Sequence, residues 1–386
     1  MTPLIAISLG DPLGIGPEVT LKALADESLR ARARWVVFGP ACALVDVAKR
    51  ANVSAFWKSV GASSVGEPAS ALRNAGDVVC VHVDAVDSSG AALRQLNSPE
   101  RVAAWYSRAL SNRTACTESG AISHACVEQA ILLAKRGVDD AWRASAVCTA
   151  PISKHAWQLA GFDRFPGHTE LFASRFGVSK FAMMFHAPPT RETGNHEPGA
   201  GKTREGPGLN VILATVHQPL RTVAATLTTQ RVIECIELGA AQLQKLGVAS
   251  PRIAVAGLNP HAGEQGLLGS EDDAIIAPAI EAAKKLPSLS RCEVSGPHPA
   301  DTVFQRALAW PGQAPEKFDL VVAMYHDQGL IPLKTLAWDR AVNMTVGLPI
   351  LRTSPDHGTA FDIAGKGVAN EGSMKAALAI AVQSAI

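Results

Sequence analysis

The sequence has few aromatic residues, little charge imbalance and no long apolar run. Aromatic residues make up 5% of the chain, and 36 Lys and Arg residues nearly balance 35 Asp and Glu residues, which leaves a net charge of +1. A strongly basic surface and a set of stacking platforms are therefore missing, which argues against nucleic acid or an anionic membrane as the main partner. No stretch approaches the roughly 20 apolar residues that a membrane-spanning helix needs.

The sequence also lacks paired cysteines and a recognisable targeting signal. Its seven cysteines include no CxxC pair and are odd in number, so we expect reduced thiols and not a disulfide framework. The first eight residues, MTPLIAIS, lack the basic region and the longer apolar core of a signal peptide. We therefore expect a cytoplasmic protein.

Short apolar runs alternate with longer segments of helical periodicity. The runs are typical of strands buried on both faces of a parallel sheet, and the longer segments place charged residues on one helical face. This alternation predicts an α/β fold. The predicted strands are Leu4–Leu9, Trp35–Phe38, Ala146–Cys148, Val211–Thr215, Ile253–Gly257 and Leu320–Met324, and the predicted helices are 103–116, 124–136, 228–246 and 271–285.

One segment, residues 187–208, has no apolar period and is dense in Pro, Gly, Thr and charge. It predicts an exposed, mobile inserted loop. The loop contains GAGKT at 199–203, which resembles part of a phosphate-binding P-loop. The full motif requires a different glycine spacing and a helix directly afterwards, and the following Arg-Glu-Gly-Pro cannot open one.

A glycine-rich turn, GDPLGIGPE at residues 10–18, follows the first predicted strand. Glycines at a strand-to-helix turn allow positive φ angles and close approach of the backbone to a ligand. The spacing does not match the G-x-G-x-x-G dinucleotide fingerprint. The turn therefore fits either a tight structural turn, with Pro17 at the start of a helix, or a ligand site.

Three of the eleven histidines directly follow predicted buried strands, where α/β proteins place their ligands. These are His217, His261 and His326. Three imidazoles with an open coordination position describe a catalytic metal site. Because the three residues lie far apart in the chain, spacing leaves a structural hydrogen-bonding role open for each. We interpret His82, in an apolar strand, and His155, in a helix, as structural.

A second set of polar residues has the chemistry of an anion site. His168 and Thr169 follow a glycine in PGHTE, and Lys334, Asn343 and Arg352 recur in a segment rich in Gly, Pro and Thr. Lysine provides a point charge, and arginine provides a planar fork that matches phosphate or carboxylate. Taken alone, the two cations could equally solvate a surface.

Seven segments resemble, in order, the signature segments of the 4-hydroxythreonine-4-phosphate dehydrogenase family. The segment HGTAFDIAGKGVAN at 357–370 is also similar to the cofactor segment of isocitrate and isopropylmalate dehydrogenases, whose fold this family shares. The resemblance covers most of the chain outside 80–140 and 186–210. The segments are ISLGDPLGIGPEV, TAPISKHAWQLAGF, FPGHTE, GLNPHAGEQGLLG, GPHPADTVF, MYHDQGLIPLK and VGLPILRTSPDHGTAFDIAGKG.

The resemblance implies particular residues for each part of the site. It implies one divalent metal (Zn, Co or Mg), NAD or NADP, and metal ligands shared across a homodimer interface. Asp301 and Asp327 each fit a base or an orienting residue, and the sequence leaves that choice open. The implied set is His217, His261 and His326 for the metal; His168, Thr169, Lys334, Asn343 and Arg352 for the substrate; Gly14, His357, Gly358 and Asp362 for the cofactor; and Asp301, Asp327 and Lys334 for catalysis.

The implied architecture is two α/β/α domains with a cleft between them, as in isocitrate and isopropylmalate dehydrogenases. We expect residues 1–150 and about 345–386 to form the first domain, on the cofactor side. Residues 151–344 are expected to form the second domain, with the metal ligands and the dimer interface, and 187–208 to be an insertion within it.

The expected activity is oxidation of 4-phosphohydroxy-L-threonine to a 3-oxo acid, which decarboxylates to 3-amino-2-oxopropyl phosphate on the way to pyridoxal phosphate. Within the same chemistry, 4-phosphoerythronate, a phosphothreonate or a carboxylated cis-dihydrodiol are alternative substrates. From other classes, a catalytically silent metal-binding scaffold and a nucleotide-dependent regulator that uses the GAGKT loop also remain open.

Overall fold

The structure is a computed structural model that describes residues 2–61, 72–86, 93, 96–192, 204–308 and 318–385. The chain divides into two compact units, one formed by Met1–Ser179 with Leu348–Ile386 and the other by Lys180–Gly347. Residues 151–179, which the sequence analysis assigned to the second domain, belong to the first unit. They pack there because the Trp157 indole donates a hydrogen bond to the buried Ser123 hydroxyl, at 3.0 Å.

The elements alternate along the chain as an α/β protein requires. Residues Met1–Ser179 contain β1 (Leu4–Ser8), α1 (Gly16–Ala25), α2 (Glu27–Arg30), β2 (Arg34–Phe38), α3 (Ala41–Ala51), β3 (Trp57–Val60), β4 (Val78–Val81), α4 (Pro99–Ala109), α5 (Thr117–Ala134), β5 (Ala146–Thr149), α6 (Lys154–Leu159) and α7 (His168–Phe176). Residues Lys180–Gly347 contain β6 (Ala182–Ala187), β7 (Thr190–Glu192), β8 (Arg204–Gly206), β9 (Leu209–Leu213), α8 (Val223–Thr226), α9 (Thr229–Lys245), β10 (Arg252–Ala256), α10 (Ala277–Ala283), β11 (Glu293–His298), α11 (Ala300–Ala307), β12 (Leu320–Ala323), α12 (His326–Ala337) and β13 (Val342–Val346). Residues Leu348–Ile386 contain β14 (Leu351–Pro355) and α13 (Gly372–Gln383).

The first unit is built on parallel strands in the order β14-β5-β1-β2-β4-β3. Apart from edge strand β3, these strands are buried almost throughout, as the continuous apolar runs predict. One large apolar cluster lies against them and includes Phe38, Trp105 and Phe172. The predicted α/β class and the predicted buried strands of this unit are confirmed.

The second unit has a mixed sheet. Strands β11, β10, β12 and β9 are parallel neighbours in that order, whereas β6 pairs antiparallel with β9 and β13 pairs antiparallel with β6. The parallel strands predicted at β9, β10 and β12 are therefore present, and β6 and β13, for which no strand was predicted, add antiparallel pairings. The reason is local, because β6 and β9 are joined by a direct return of the chain and not by a crossover helix.

That return is the 187–208 segment. Its two arms form a two-stranded antiparallel ribbon, in which β7 and β8 pair from Thr190 with Gly206 to Glu192 with Arg204. The ribbon continues the β6–β9 pairing, where Ala187 pairs with Leu209. The segment is therefore structured at its ends. The predicted mobility of its centre and the GAGKT motif concern residues that lie outside the described part of the chain.

Capping explains why two helices begin earlier than the apolar period predicts. The α4 helix starts at Pro99, not at 103, because the Ser98 hydroxyl accepts the backbone N–H of Arg101 at 3.3 Å and Pro99 suits the first helical position. The α5 helix starts at Thr117, not at 124, with the Cys116 and Ser119 side chains and backbone forming a reciprocal cap.

The cysteines and the apolarity of the helices can also be compared with the composition. All seven cysteines are free thiols, so the expectation of no disulfide framework is confirmed. Among the helices that the structure describes, none combines the length and the apolarity that crossing a membrane would require.

The close packing of α5 on the residues of α6 depends on Gly120. A Cβ atom at this position would collide with the backbone carbonyl of Ala156. We therefore expect Gly120→Ala to lower the free energy of unfolding by roughly 1–3 kcal/mol, despite the higher helix propensity of alanine. Urea denaturation followed by circular dichroism measures the change. Gly137→Ala is the control, because nothing lies within 4 Å of its added Cβ; equal losses in both variants would contradict the packing argument.

Candidate functional site

In the second unit, the three candidate histidines follow strands that are neighbours in the sheet. His217 follows β9, His326 follows β12, and His261 follows β10, and these strands are neighbours in the order β9-β12-β10. Because the strands are parallel, their carboxyl ends lie at the same edge. The ring centroids of His217 and His326 are 5.4 Å apart. The predicted convergence of these two imidazoles is thus present.

These two imidazoles line a pocket of about 590 Å³ together with Tyr325 and Asp327. The Nδ1 atom of His326 lies 2.7 Å from Oδ1 of Asp327. A carboxylate only accepts, so Nδ1 carries a proton, and Nε2 is the ring nitrogen that remains to bind a ligand. A carboxylate that orients an imidazole in this way is the usual arrangement behind a histidine that binds a metal.

His261 lies on an unusual turn. Residues 261–266 all have positive φ, from 53° at His261 to 87° at Gly266, and four of the six are not glycine. The side chain of His261 is 63% exposed, and its Nδ1 lies 3.6 Å from Oε2 of Glu264. Within the part of the chain that the structure describes, no group of three or more His, Cys, Asp or Glu side chains is arranged to hold a metal ion. One chain thus brings together His217 and His326, and His261 does not join them.

The imidazoles of one chain provide part of a coordination sphere that suits a divalent transition metal. Two imidazoles converge, one of them oriented by a carboxylate, and a third imidazole is exposed at the same edge of the sheet. Nitrogen ligands of this kind suit zinc or cobalt. Two ligands leave coordination positions open to a further ligand and to substrate.

Lys334 and Asp301 lie on the helices that follow two of these strands. Lys334 is two turns after His326 on α12, and both line a second pocket of about 520 Å³ together with Asp327 and Ile331. Asp301 is exposed in the first turn of α11, which follows β11. The structure therefore brings Lys334, His326 and Asp327 together, and places Asp301 at the end of the strand next to β10.

In the first unit, Arg352 is fully buried on β14. Its Nε and Nη2 atoms donate to Oγ1 of Thr149 at 3.0 and 2.6 Å, and Nη2 also donates to Nδ1 of His168 at 3.0 Å. These acceptors are neutral. Burial lowers the pKa of Arg352 to about 10, which shows that its surroundings disfavour the charged form. An anionic ligand would further stabilise this buried cation.

The contact with Arg352 also settles the tautomer of His168. A guanidinium cannot accept a hydrogen bond, so Nδ1 of His168 is the acceptor and the proton lies on Nε2. Burial, with Arg352 and Lys154 nearby, holds the pKa of His168 well below its usual value, so the ring is neutral. Its Nε2 atom is buried and has no hydrogen-bond partner among the residues that the structure describes. It is therefore a preformed donor that awaits an acceptor.

The N-terminus of α7 and the neighbouring side chains complete a donor cluster around Arg352 and His168. His168 is the first residue of α7, whose N-cap Gly167 offers no side-chain acceptor, and Thr169 is buried directly after it. A helix N-terminus presents backbone N–H groups to an anion. The indole of Trp157 packs edge-on against His168 with ring centroids 5.6 Å apart, which fixes the imidazole. Thr149 and Lys154 were not among the site residues predicted from the sequence, although both lie in the signature segment TAPISK.

The cofactor candidates lie on two segments of the first unit that contact each other. The backbone N–H of Ile15 donates to the carbonyl of Thr359 at 2.9 Å, and a Cβ at Gly14 would lie 2.8 Å from that oxygen. Gly14 is thus a close-packing position. His357 Nδ1 donates to the Gly358 carbonyl at 3.1 Å, and Asp362 is exposed.

Two residues that the sequence analysis did not single out brace the 357–370 segment. Lys22 donates to the carbonyls of Gly367 and Ala369 at 2.9 and 2.8 Å and to Glu18 at 2.9 Å. Glu18 accepts the N–H of Ala369 at 2.8 Å. Both lie on α1, but their partners are some 350 residues away, so no local signal could have found them.

Asn343, the remaining substrate candidate, lies on β13 in register with Phe185 of β6. Its Oδ1 atom is buried and has no hydrogen-bond partner among the described residues. A buried amide oxygen without a partner is costly, and such groups often mark a ligand contact.

These features define a class of protein before any comparison. An α/β protein with converging imidazoles at the carboxyl edge of the sheet in one unit can hold a divalent metal there, and a buried cation with hydrogen-bond donors in the other unit can hold a small anion. Over residues 62–381 the chain matches the family described as Pyridoxal phosphate biosynthetic protein PdxA.

Individual relatives agree over the full length. The 4-hydroxythreonine-4-phosphate dehydrogenase of Synechococcus sp. (strain JA-3-3Ab) is 40% identical, with 100% of this chain and 95% of that protein covered. The D-threonate 4-phosphate dehydrogenase of Salmonella typhimurium is 38% identical, with 100% and 99% covered. The crystal structure of 4-hydroxythreonine-4-phosphate dehydrogenase from Klebsiella pneumoniae is 34% identical, with a TM-score of 0.71 and 100% of both chains covered. The chain therefore belongs to the PdxA family and is an oxidoreductase of the dehydrogenase type.

The buried Arg352 guanidinium should have opposite effects on the melting temperature of the ligand-free and of the ligand-bound protein. We expect Arg352→Met to leave the melting temperature of ligand-free protein unchanged or raised, because an apolar side chain carries no desolvation penalty. We expect the same change to abolish the rise in melting temperature that inorganic phosphate produces in the wild type. Differential scanning fluorimetry measures both. Arg108→Met, at an exposed position of α4, should retain the response to phosphate; a retained response in Arg352→Met would contradict the anion site.

Proposed function

We propose that this protein is a metal-dependent, NAD- or NADP-linked 4-hydroxythreonine-4-phosphate dehydrogenase that acts as a cytoplasmic homodimer. The reaction removes the hydrogen on carbon 3 of 4-phosphohydroxy-L-threonine as a hydride, which the nicotinamide accepts, and the 3-hydroxyl hydrogen as a proton. The 3-oxo acid then loses carbon dioxide and takes up a proton at carbon 2 to give 3-amino-2-oxopropyl phosphate. The observation that carries the proposal is the buried Arg352 with the Nε2–H donor of His168, in a chain that is 40% identical to a named dehydrogenase of this substrate.

The role of the donor cluster is to bind the negative charge of the substrate and so to orient the reacting carbon. Arg352 supplies a buried positive charge, His168 supplies Nε2–H, and Thr169 and the first turn of α7 supply further donors. Binding energy used at this remote end aligns the hydroxyl-bearing carbon for reaction. Lys334 and Asn343 are proposed as further substrate contacts, on the strength of the family resemblance and of the orphaned Asn343 oxygen.

The proposed metal ligands are His217 and His326 of one chain together with His261 of a second copy. This division is supported by the 5.4 Å pairing of the first two imidazoles and by the exposure of the third. When bound, the divalent metal supplies charge that stabilises negative charge on the substrate oxygen, and the nicotinamide supplies the hydride acceptor. The exposed apolar side chains of Leu220, Leu267 and Ile331, all in the second unit, are the surface proposed to be covered in the dimer.

We assign different roles to the two candidate carboxylates according to their surroundings. Asp327 accepts the Nδ1 proton of His326, which suits an orienting residue. Asp301 is exposed, and we assign it the role of accepting the hydroxyl proton. Lys334 lies two turns from His326 on the same helical face, where its ammonium can hold a substrate oxygen and stabilise charge during proton transfer. The cofactor is proposed to lie on the 357–370 segment, which Glu18 and Lys22 brace.

A second substrate is favoured by one specific observation. The D-threonate 4-phosphate dehydrogenases of Cupriavidus necator and Salmonella typhimurium are 39% and 38% identical to this chain, close to the 40% of the 4-hydroxythreonine-4-phosphate dehydrogenase from Synechococcus. Both substrates carry a 4-phosphate and a 3-hydroxyl, and they differ in an amino or a hydroxyl group at carbon 2. The same donor cluster therefore serves either one.

The decisive experiment measures nicotinamide reduction with each substrate. Purified protein with added Zn²⁺, Co²⁺ or Mg²⁺ is assayed with 4-phosphohydroxy-L-threonine, D-threonate 4-phosphate and 4-phosphoerythronate, with NAD and with NADP. We expect the highest kcat/KM with the first, and a fall of roughly 1,000-fold, about 4 kcal/mol, in His217→Ala and His326→Ala.

The matched control is His155→Ala, since His155 is an exposed residue on α6 of the other unit; it should keep wild-type activity. Faster turnover of D-threonate 4-phosphate would transfer the assignment to the second candidate. No reduction with any of the three acids, from folded protein loaded with metal, would overturn the proposed function.

The two carboxylates should separate in their effects. We expect Asp327→Asn to weaken zinc binding roughly 10- to 100-fold, because the amide is a weaker acceptor for the His326 proton. We expect Asp301→Asn to leave zinc affinity unchanged and to lower kcat by roughly 100- to 10,000-fold. Isothermal titration calorimetry and steady-state kinetics measure the two effects. The reverse pattern, with Asp301 controlling zinc affinity and Asp327 only kcat, would exchange the two roles.

A further inference from the structure

A single buried side chain joins two of the three histidine loops. Gln328 is the third residue of α12 and is 8% exposed. Its Oε1 atom accepts the backbone N–H of Met324 at 2.6 Å, and its Nε2 atom donates to the carbonyl of Gly257 at 2.7 Å. Met324 precedes His326 by two residues, and Gly257 precedes His261 by four. The amide therefore connects the base of one loop to the base of the other.

The third loop is joined through the same peptide. The carbonyl of Met324 accepts both the N–H and the hydroxyl of Thr215, at 3.2 and 2.7 Å. Thr215 precedes His217 by two residues and is buried. The backbone carbonyl of Met324 thus accepts hydrogen bonds from Thr215 in the His217 loop, and the backbone N–H of Met324 donates to Gln328. The chain of contacts runs from the His217 loop through Met324 and Gln328 to the His261 loop.

The far end of this chain is anchored by a buried carboxylate. Asp272 is 0% exposed and accepts the N–H of Leu258 at 2.8 Å, the N–H of Asn259 at 3.1 Å and the Asn259 side-chain amide at 2.9 Å. The left-handed residues 261–266 follow directly. Left-handed backbone costs roughly 1–2 kcal/mol for each non-glycine residue, so it persists only where the surroundings enforce it. Gln328 and Asp272 hold the base from which this turn starts.

We propose that Gln328 is a positioning residue for metal binding. It holds the loops of His217 and His326, which bind one metal, and the loop of His261, which reaches the metal of the second copy, in fixed positions before metal binds. The inference rests on the proposed function, because that assigns the three histidines to the metal. An amide suits this role, since it accepts from one loop and donates to the other while remaining neutral. A glutamate in its place keeps the acceptor and loses the donor, and a methionine loses both.

The test compares zinc affinity in variants of this residue with zinc affinity in a matched control. Gln328→Met and Gln328→Glu are titrated with Zn²⁺ after removal of metal by chelation and dialysis. We expect zinc affinity to fall roughly 10- to 100-fold in both, the range typical when residues that support metal ligands are removed. The control is Gln242→Met on α9, because Gln242 is 4% exposed in the same unit and makes none of the contacts described above.

A second readout separates positioning from general loss of stability. Phosphate binding at Arg352 and His168, which belong to the first unit, should keep its wild-type affinity in every variant that folds. Zinc affinity within threefold of wild type in Gln328→Met and Gln328→Glu overturns the inference and leaves the proposed function standing. An equal loss of zinc affinity in Gln242→Met also overturns it. Wild-type protein that binds no zinc overturns the metal site of the proposed function and this inference with it. If Gln328→Met does not fold, Gln328→Glu decides.

Discussion

Parallel hydrogen bonding between β9, β12, β10 and β11 is the constraint on which the candidate metal site depends. Parallel strands end at a common edge, so side chains that follow four separate strands are delivered to one line. His217, His326 and His261 reach it although more than 40 residues separate each from the next in the chain. The histidines that follow β9 and β12 form the close pair, whereas His261 lies on the left-handed turn that follows β10.

In the first unit, the candidate anion site depends on a buried positive charge. Arg352 is buried, and the imidazole that accepts from it holds the tautomer whose remaining proton, on Nε2, has no acceptor among the described residues. The ligand-free protein therefore holds both a positive charge and a donor that an anion would satisfy. Such preorganisation is unfavourable in the empty site and favourable in the complex, since the groups need not reorganise when substrate binds.

Rigidity at the second site has a comparable origin. Six successive left-handed residues would not form in isolation, and they are held by buried polar contacts from Asp272 and Gln328. A ligand loop under this control has few conformations to lose on metal binding, which lowers the entropic cost of assembling the site. The same argument applies to the 357–370 segment, where Lys22 and Glu18 fix a glycine-rich backbone that would otherwise be loose.

The sequence by itself determined the α/β class, the buried strands, the candidate histidines and the family, because apolar period and collinear motifs are local properties of the chain. It did not predict the antiparallel strands β6 and β13 or the roles of Gln328 and Thr149. Only the tertiary structure decided that His217 and His326 form a pair, that Asp327 orients an imidazole and that His168 carries its proton on Nε2. The contacts of His217 with His326 and of His168 with Arg352 join residues more than 100 positions apart, and no local pattern records which distant group a side chain will face. Asp327 adjoins His326 in the chain, but the sequence does not record which way either side chain points.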